Sequence, residues 1–291
     1  MSGEIVVRAP ASTANLGPGF DCAAAALDLW NELRVEDAEG DMQITVEGEG
    51  SEEIPQNADH LALRAFALVA PVEGRRFRFV NRIPLERGLG SSAATIAAGL
   101  VAGAAAAGRA LSPDELLDLG LPLEGHPDNL AAALRGGVCL IWQNGAGPHT
   151  ARIAVDLPLA AIVVVPGERV NTAASRSRLP ETLTHGQAVA AAAQAALLGA
   201  AIASGNASLL ADAFHDTLHE PYRAADAPLL GELRANPVTG CRGVTLSGSG
   251  PSVVVWVVKD KVAQATAELS ARLPGSRVLP LEIAGHGAEA E

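Results

Sequence analysis

The residues best able to do chemistry lie in two short stretches and a few arginines. The first stretch is Pro84-Leu85-Glu86-Arg87-Gly88-Leu89-Gly90-Ser91-Ser92-Ala93-Ala94. Gly88 and Gly90 allow positive φ, and Ser91 or Ser92 can accept bonds from the first free N–H groups of the alanine-rich helix expected at 91 to 107. Free N–H groups and the positive end of a helix dipole both favour phosphate oxygens, so the natural ligand is a polyphosphate. A Gly-x-Gly alone would read as a turn into a helix. The doubled serine and the small Ala93, Ala94, Ala97 and Ala98 move the reading to phosphate.

The second stretch, Pro122-Leu-Glu-Gly-His-Pro-Asp-Asn129, sets Glu124, His126, Asp128 and Asn129 before a small apolar helix. One His without a second makes a poor zinc site, whereas oxygen ligation of Mg²⁺ by Glu124, completed by water and phosphate, suits a hard cation. An N-cap cluster satisfying its own backbone explains Asp128 or Asn129 and leaves Glu124 unexplained. Arg176 and Arg178 in a polar loop at 170 to 180, and Arg223 after His219-Glu220-Pro221-Tyr222, read either as solvated side chains or as paired donors for a carboxylate or phosphate. Lys259 and Lys261 are the only lysines. The glycine loop therefore has neither the Gly-Lys-Ser/Thr of a Walker-type loop nor the downstream strand lysine of a protein kinase. Charge on a nucleotide would be met by backbone N–H groups, arginines and a metal ion.

Around these groups the pattern alternates strands and helices. Strands are expected at 4 to 9, 25 to 36, 42 to 47, 76 to 82, 138 to 142, 151 to 155, 160 to 165, 253 to 258 and 276 to 283. Helices are expected at 59 to 70, after the N-cap-like Ser112-Pro113-Asp114-Glu115 as a short one, and at 184 to 204, 206 to 215 and 261 to 272. The alanine run at 188 to 196 reads as close helix packing, and the tail from Ala284 to Glu291 as mobile. Two more glycine loops, Ala11 to Asp21 and Leu246 to Ser252, are rich in turn formers; the second reads as a hairpin turn or as an approach to substrate or phosphate. Pro158 suggests a boundary between domains 1–157 and 158–291.

The chain has 291 residues, 48% hydrophobic and 19% charged, with a net charge of −12. It can bury a large core, and its charge argues against nucleic acid or an anionic membrane as partner. No apolar run approaching the roughly 20 residues of a membrane span is expected, nor a signal peptide, so the reading is cytoplasmic. Cys22, Cys139 and Cys241 suit a reducing compartment as small core fillers.

The three glycine loops, in this order, resemble those of the GHMP kinase superfamily of small-molecule kinases, and within it most closely the members that phosphorylate homoserine. The discriminating residues are Asn15-Leu-Gly-Pro-Gly-Phe-Asp21, Asp128-Asn129, Thr172-x-x-x-Arg176-x-x-x-Pro180 and His219-Glu-Pro-Tyr-Arg223. The resemblance implies ATP-dependent phosphorylation of the L-homoserine side-chain hydroxyl, a step of threonine biosynthesis. It implies an α+β fold of two domains, with a left-handed β-α-β unit in the first and a ferredoxin-like second, and ATP between the first two glycine loops with the third closing the site from the other domain; it also suggests a homodimer. Asn15, Asp21, Asn129, Thr172, Arg176 and Arg223 would hold the amino acid, residues 84 to 94 the triphosphate, and Ser92 with Glu124 the Mg²⁺. Where sister kinases such as mevalonate kinase place an aspartate base, Asn129 cannot take a proton at neutral pH. It would orient the hydroxyl, with Asp128, Asn129 and Arg176 forming the catalytic group and no dedicated base. Glu86 would repel phosphate unless it points outward. Rival readings are a GHMP kinase for mevalonate, a sugar or shikimate, and a catalytically silent amino-acid-binding regulator.

Overall fold

The computed structural model describes residues 3–145, 147–169 and 175–291. In chain order the strands are β1 Ile5–Ala14, β2 Ala23–Asp37, β3 Gln43–Gly48, β4 Arg75–Asn81, β5 Val138–Gln143, β6 Pro148–Ala154, β7 Leu159–Val165, β8 Cys241–Leu246, β9 Val253–Val258, β10 Arg277–Leu281 and β11 Glu289–Ala290. They form a seven-stranded sheet, β11-β1-β2-β4-β3 with β5 and β6 joined through β2, and a four-stranded sheet, β10-β7-β9-β8. The chain passes from the first sheet to the second between Ala154 and Leu159. In the first sheet β3 and β4 run parallel, joined through helix α1 Leu61–Ala67. A parallel pair needs such a crossover, whereas all pairings of the second sheet are antiparallel.

Helix α2, Ser91–Ala106, is buried on nearly every side, including Ala93, Ala94, Ala97 and Ala98. It packs on α1 and β1, and a helix apolar all round belongs in a core. Helices α3 Pro113–Glu124 and α4 Pro127–Arg135 cover it. Helix α3 is longer than expected, because the reciprocal Ser112–Glu115 capping box starts it firmly and Pro122 is accommodated in its last turn. One face of the second sheet, with Val163, Val254 and Trp256, joins the main core. The other packs helices α8 Pro228–Ala235 and α9 Val262–Arg272. Between β7 and β8 in sequence lie α5 His185–Ser204, α6 Ala207–Ala213 and the single turn α7 Glu220–Arg223.

Four further expectations are corrected. Helix α5 has 20 residues and a mean hydropathy of 1.5, long and apolar enough by length and composition to cross a membrane, because a run of alanines accumulates hydropathy without large side chains. Nor is its alanine run closely packed: among 188 to 196 only Ala191 is fully buried, and Val189 is 66% exposed. The C-terminal tail is tied down. Glu289–Ala290 adds a strand to β1, and Gly137 and Ala288 N–H donate to Ala284 and Ala133 carbonyls, bonds that composition does not reveal. Of the cysteines, Cys139 is buried in the core, while Cys22 and Cys241 are only half-buried.

Candidate active site

The glycine loop between β4 and α2 is one wall of a cavity of about 500 Å³. Gly88 and Gly90 have φ of 74° and 64°, in the region glycine favours. At Gly90 a Cβ would lie 2.0 Å from Ser12 Oγ, and at Gly88 it would lie 2.1 Å from the Ser247 carbonyl, so the loop has no room for side chains there. Gly90 is the N-cap of α2, and no side chain caps the helix. The serines thus do not cap as expected: Ser91 Oγ is buried without a partner, and Ser92 Oγ donates to Glu124 Oε2 at 2.7 Å. The first turn of α2 has no acidic residue, leaving its N–H groups and dipole open to an anion. Glu86 sits at φ 53° with its side chain 58% exposed and its carboxylate 3.8 Å from Arg169, and both residues line the cavity.

Glu124 is the last residue of α3, held by the αL cap at Gly125. Burial pushes its carboxyl up to about 7, and Asp128 adds to this; the Ser92 hydroxyl only partly opposes it. A half-buried carboxylate and a hydroxyl in contact, beside an uncapped helix start, are oxygen donors of the type a hard cation takes. Three residues on, α4 begins at Pro127 and presents Asp128 and Asn129. Asn129 is fixed at both ends of its amide: Oδ1 accepts from Ser12 Oγ at 2.8 Å, and Nδ2 donates to Asp128 Oδ1 at 3.3 Å. Asp128 is buried and also accepts from the Asn129 backbone N–H at 2.7 Å; desolvation raises its pKa.

The loop between β1 and β2 supplies Asn15 and Asp21, both with positive φ, as is Leu16. Three non-glycine residues in this strained region within seven positions mark a loop held in place by its contacts. Asn15 Oδ1 accepts from Asp21 N–H, and Asn15 Nδ2 donates to the Gly248 carbonyl. Arg223 Nη1 donates to that same carbonyl. The third glycine loop is the hairpin turn of the antiparallel pair β8 and β9, and it packs on the first two loops, with Ser247 Oγ bonded to Gly88 O and Thr13 Oγ1.

Arg176 and Arg223 both line the cavity. Neither is merely solvated. Arg176 Nη2 lies 2.8 Å from both Asp21 oxygens, and Arg223 is 3% exposed with its pKa lowered by burial and by Arg176. The Nε of each is buried without a partner. Both guanidiniums sit over the Phe20 ring, at 5.4 and 5.2 Å. Asn15, Asp21, Asp128, Asn129, Arg176, Arg223, Ser92 and Glu124 therefore line one cavity with the loop from Pro84 to Ser92. Ala93 and Ala94 lie behind it in the core. Thr172 lies outside the described residues.

Sequence reasoning missed the apolar part of the cavity's lining, Ile54, Pro55, Leu61, Phe79 and Leu85, together with His60, whose ring meets Phe79 edge-on. His60 is fully buried, and burial pulls its pKa down to about 4, so it is neutral. Its Nδ1 accepts from Ala62 N–H as the N-cap of α1, which puts the proton on Nε2, an atom with no partner. Nothing in the sequence distinguishes His60 from any other residue at a helix start.

Residues 58–137 match the model of the GHMP kinases N-terminal domain. The chain is 38% identical to a homoserine kinase of Moorella thermoacetica over 97% of this chain and 98% of that one, and 38% identical to one of Streptomyces avermitilis over 94% and 95%. Among solved structures, the homoserine kinase of Cytophaga hutchinsonii superposes with a TM-score of 0.87 at 25% identity, covering 100% of this chain and 98% of that one.

Proposed function

The chain belongs to the homoserine kinase family of GHMP kinases, with their α+β fold, and from that premise we propose that it transfers the terminal phosphoryl group of ATP to the side-chain hydroxyl of L-homoserine, yielding O-phospho-L-homoserine for threonine biosynthesis. The observation that carries the reading is the pairing of an uncapped, glycine-led helix start with an Asp21–Arg176–Arg223 cluster in one cavity.

The cluster suits a free amino acid. Asp21 and Arg176 already bind each other, and a zwitterion replaces each half of that pair: its carboxylate takes Arg176 and Arg223, its ammonium takes Asp21 and Asn15 Oδ1. At the other wall the N–H groups of residues 88 to 92 take the phosphates. The apolar end takes the nucleobase, with Nε2–H of His60 as a donor to a ring nitrogen. Ser92 and Glu124 would hold Mg²⁺, which neutralises phosphate charge when bound. Asn129, fixed by Ser12 and Asp128, orients the acceptor hydroxyl towards the phosphate loop. An amide takes no proton, so the catalytic contribution of Asp128, Asn129 and Arg176 is positioning and electrostatic, and the hydroxyl proton leaves to phosphate or water.

The test is a coupled ADP-release assay across homoserine, mevalonate, galactose and shikimate, with the product identified by ³¹P NMR. Turnover on homoserine with a phosphate-ester product is expected. Turnover on mevalonate and not homoserine would overturn the substrate, and homoserine binding without transfer in Mg-ATP would make the protein a silent binder.

A further inference from the structure

Beside the cavity, His219 is fully buried and bonded on every side. Its Nε2 lies 2.9 Å from the Gly17 carbonyl oxygen. A carbonyl only accepts, so Nε2 carries the proton, and a neutral imidazole then offers Nδ1 as an acceptor. Arg223 Nη1 lies 3.2 Å from Nδ1 and donates to it. The backbone of His219 is itself anchored, because Asp216 accepts from the N–H groups of Leu218, His219 and Glu220. One ring face stacks on Phe20, centroids 5.1 Å apart, and that same phenyl ring carries the Arg176 and Arg223 guanidiniums.

This imidazole joins two parts of the site that are 202 residues apart in sequence: the Gly17 turn between Asn15 and Asp21, and the arginine on α7. Arg223 has a long flexible side chain, and next to Arg176 it is repelled by a like charge. Without a fixed acceptor it would turn to the Asp21 carboxylate or the solvent. With Nη1 held by Nδ1 and Gly248 O, its buried Nε remains without a protein partner in the cavity wall.

We propose that His219 is a positioning residue for substrate binding: the Nδ1 lone pair fixes the Arg223 guanidinium so that its remaining N–H groups face the carboxylate of the amino-acid substrate. This rests on the reading that Arg223 receives that carboxylate. A competing role is purely structural, with Nε2–H anchoring the Gly17 turn and Arg223 a bystander.

The two nitrogens can be separated with isosteres. Asparagine at 219 places an amide oxygen near Nδ1 and keeps the acceptor for Arg223; glutamine places an amide nitrogen near Nε2 and keeps the donor to Gly17. His219→Gln is expected to raise KM for homoserine at least about tenfold, with KM for ATP within about twofold, and His219→Asn to recover most of that loss. The reverse order, or a parallel rise of both KM values tracking a fall in Tm, overturns the proposal in favour of the structural role. Arg223→Ala separates the premise from the inference. If it leaves homoserine KM unchanged, the reading of Arg223 fails; if it raises KM while His219→Gln does not, only the role of His219 fails. A measurement on the unaltered protein guards against variants that do not fold. Long-range ¹H–¹⁵N NMR should show His219 as the neutral Nε2–H tautomer, with an Nδ1 resonance that moves on homoserine addition. An imidazolium, an Nδ1–H tautomer or a resonance indifferent to homoserine overturns the proposal.

Discussion

The two ends of the cavity are built by different means. The phosphate end is mainly backbone: one short segment whose glycines leave N–H groups bare, with the side-chain oxygens of Ser92 and Glu124 in mutual contact beside it. The acceptor end is side chain. Asn15, Asp21, Asn129, Arg176 and Arg223 come from four distant segments and are already bonded to neighbouring groups of the protein, as in the Asp21–Arg176 pair. A backbone site is insensitive to what else the protein binds and intolerant of a single Cβ. A side-chain network tolerates local change but couples its members, so its substitutions should be non-additive.

The sharpest way to break this contrast is Gly90→Ala. A Cβ 2.0 Å from Ser12 Oγ must displace that hydroxyl from its bond to Asn129, and φ 64° is strained for alanine. The kcat/KM for ATP should fall at least about a hundredfold; a variant with near-normal ATP kinetics would show that the bare N–H groups are not the phosphate site. Next, Arg176→Gln should raise homoserine KM by about thirtyfold and leave ATP KM unmoved in steady-state assays. Combined with an Asp21→Asn change, the loss should be smaller than the product of the two, because each removes the other's partner.

Glu124 gives a pH test of the phosphate end. Its carboxyl is raised to about 7, so Mg²⁺ must displace a proton below that value. Half-saturating Mg²⁺ should rise by about tenfold between pH ~8 and pH ~6, and Glu124→Gln should abolish that dependence. The sign for stability follows. A raised carboxyl stabilises the ligand-free fold fully below the unfolded value of 4.5, and that contribution is lost as pH rises through about 7. Glu124→Gln, which never ionises, should therefore gain Tm relative to the parent as pH rises through that window, read by thermal denaturation.

Asp128→Asn tests the absence of a base. With positioning as its role, kcat should drop by less than about tenfold; a drop of three or four decades with both affinities intact would assign Asp128 the proton. The smallest effect is reserved for the nucleobase end, where His60→Leu should raise ATP KM by about threefold with homoserine KM constant.

Much of the phosphate end was legible, because its chemistry is local: Gly88, Gly90 and Ser92 are within five residues, and their conformational demands follow from residue type. The capping role given to the serines was the error. Whether Ser91 closes its own helix or leaves it open depends on Ser12, Leu89 and Ser247 packing around the loop. At the acceptor end the resemblance named the residues, but nothing in the sequence showed that Arg176 already lies on Asp21, or that Phe20 carries both arginines. His60 and His219 were invisible as functional groups, since their tautomers are set by Ala62 N–H and Gly17 O, contacts that exist only once the chain is folded. The tail was misjudged for the same reason: Glu289–Ala290 is short and polar, and only the free edge of β1 makes it a strand.

By itself the sequence determined the glycine loops, the lysine-free phosphate motif and the alternation of strands and helices, because these depend on backbone freedom and periodicity encoded over a few residues, and the resemblance of its motifs pointed to the family. The tertiary structure alone decided which side chains meet, how Asn129 and Arg223 are aimed, and that Glu124 is desolvated enough to titrate near 7. Those properties depend on distance and dielectric between groups more than a hundred residues apart or on burial by the whole fold, and no local pattern carries that information.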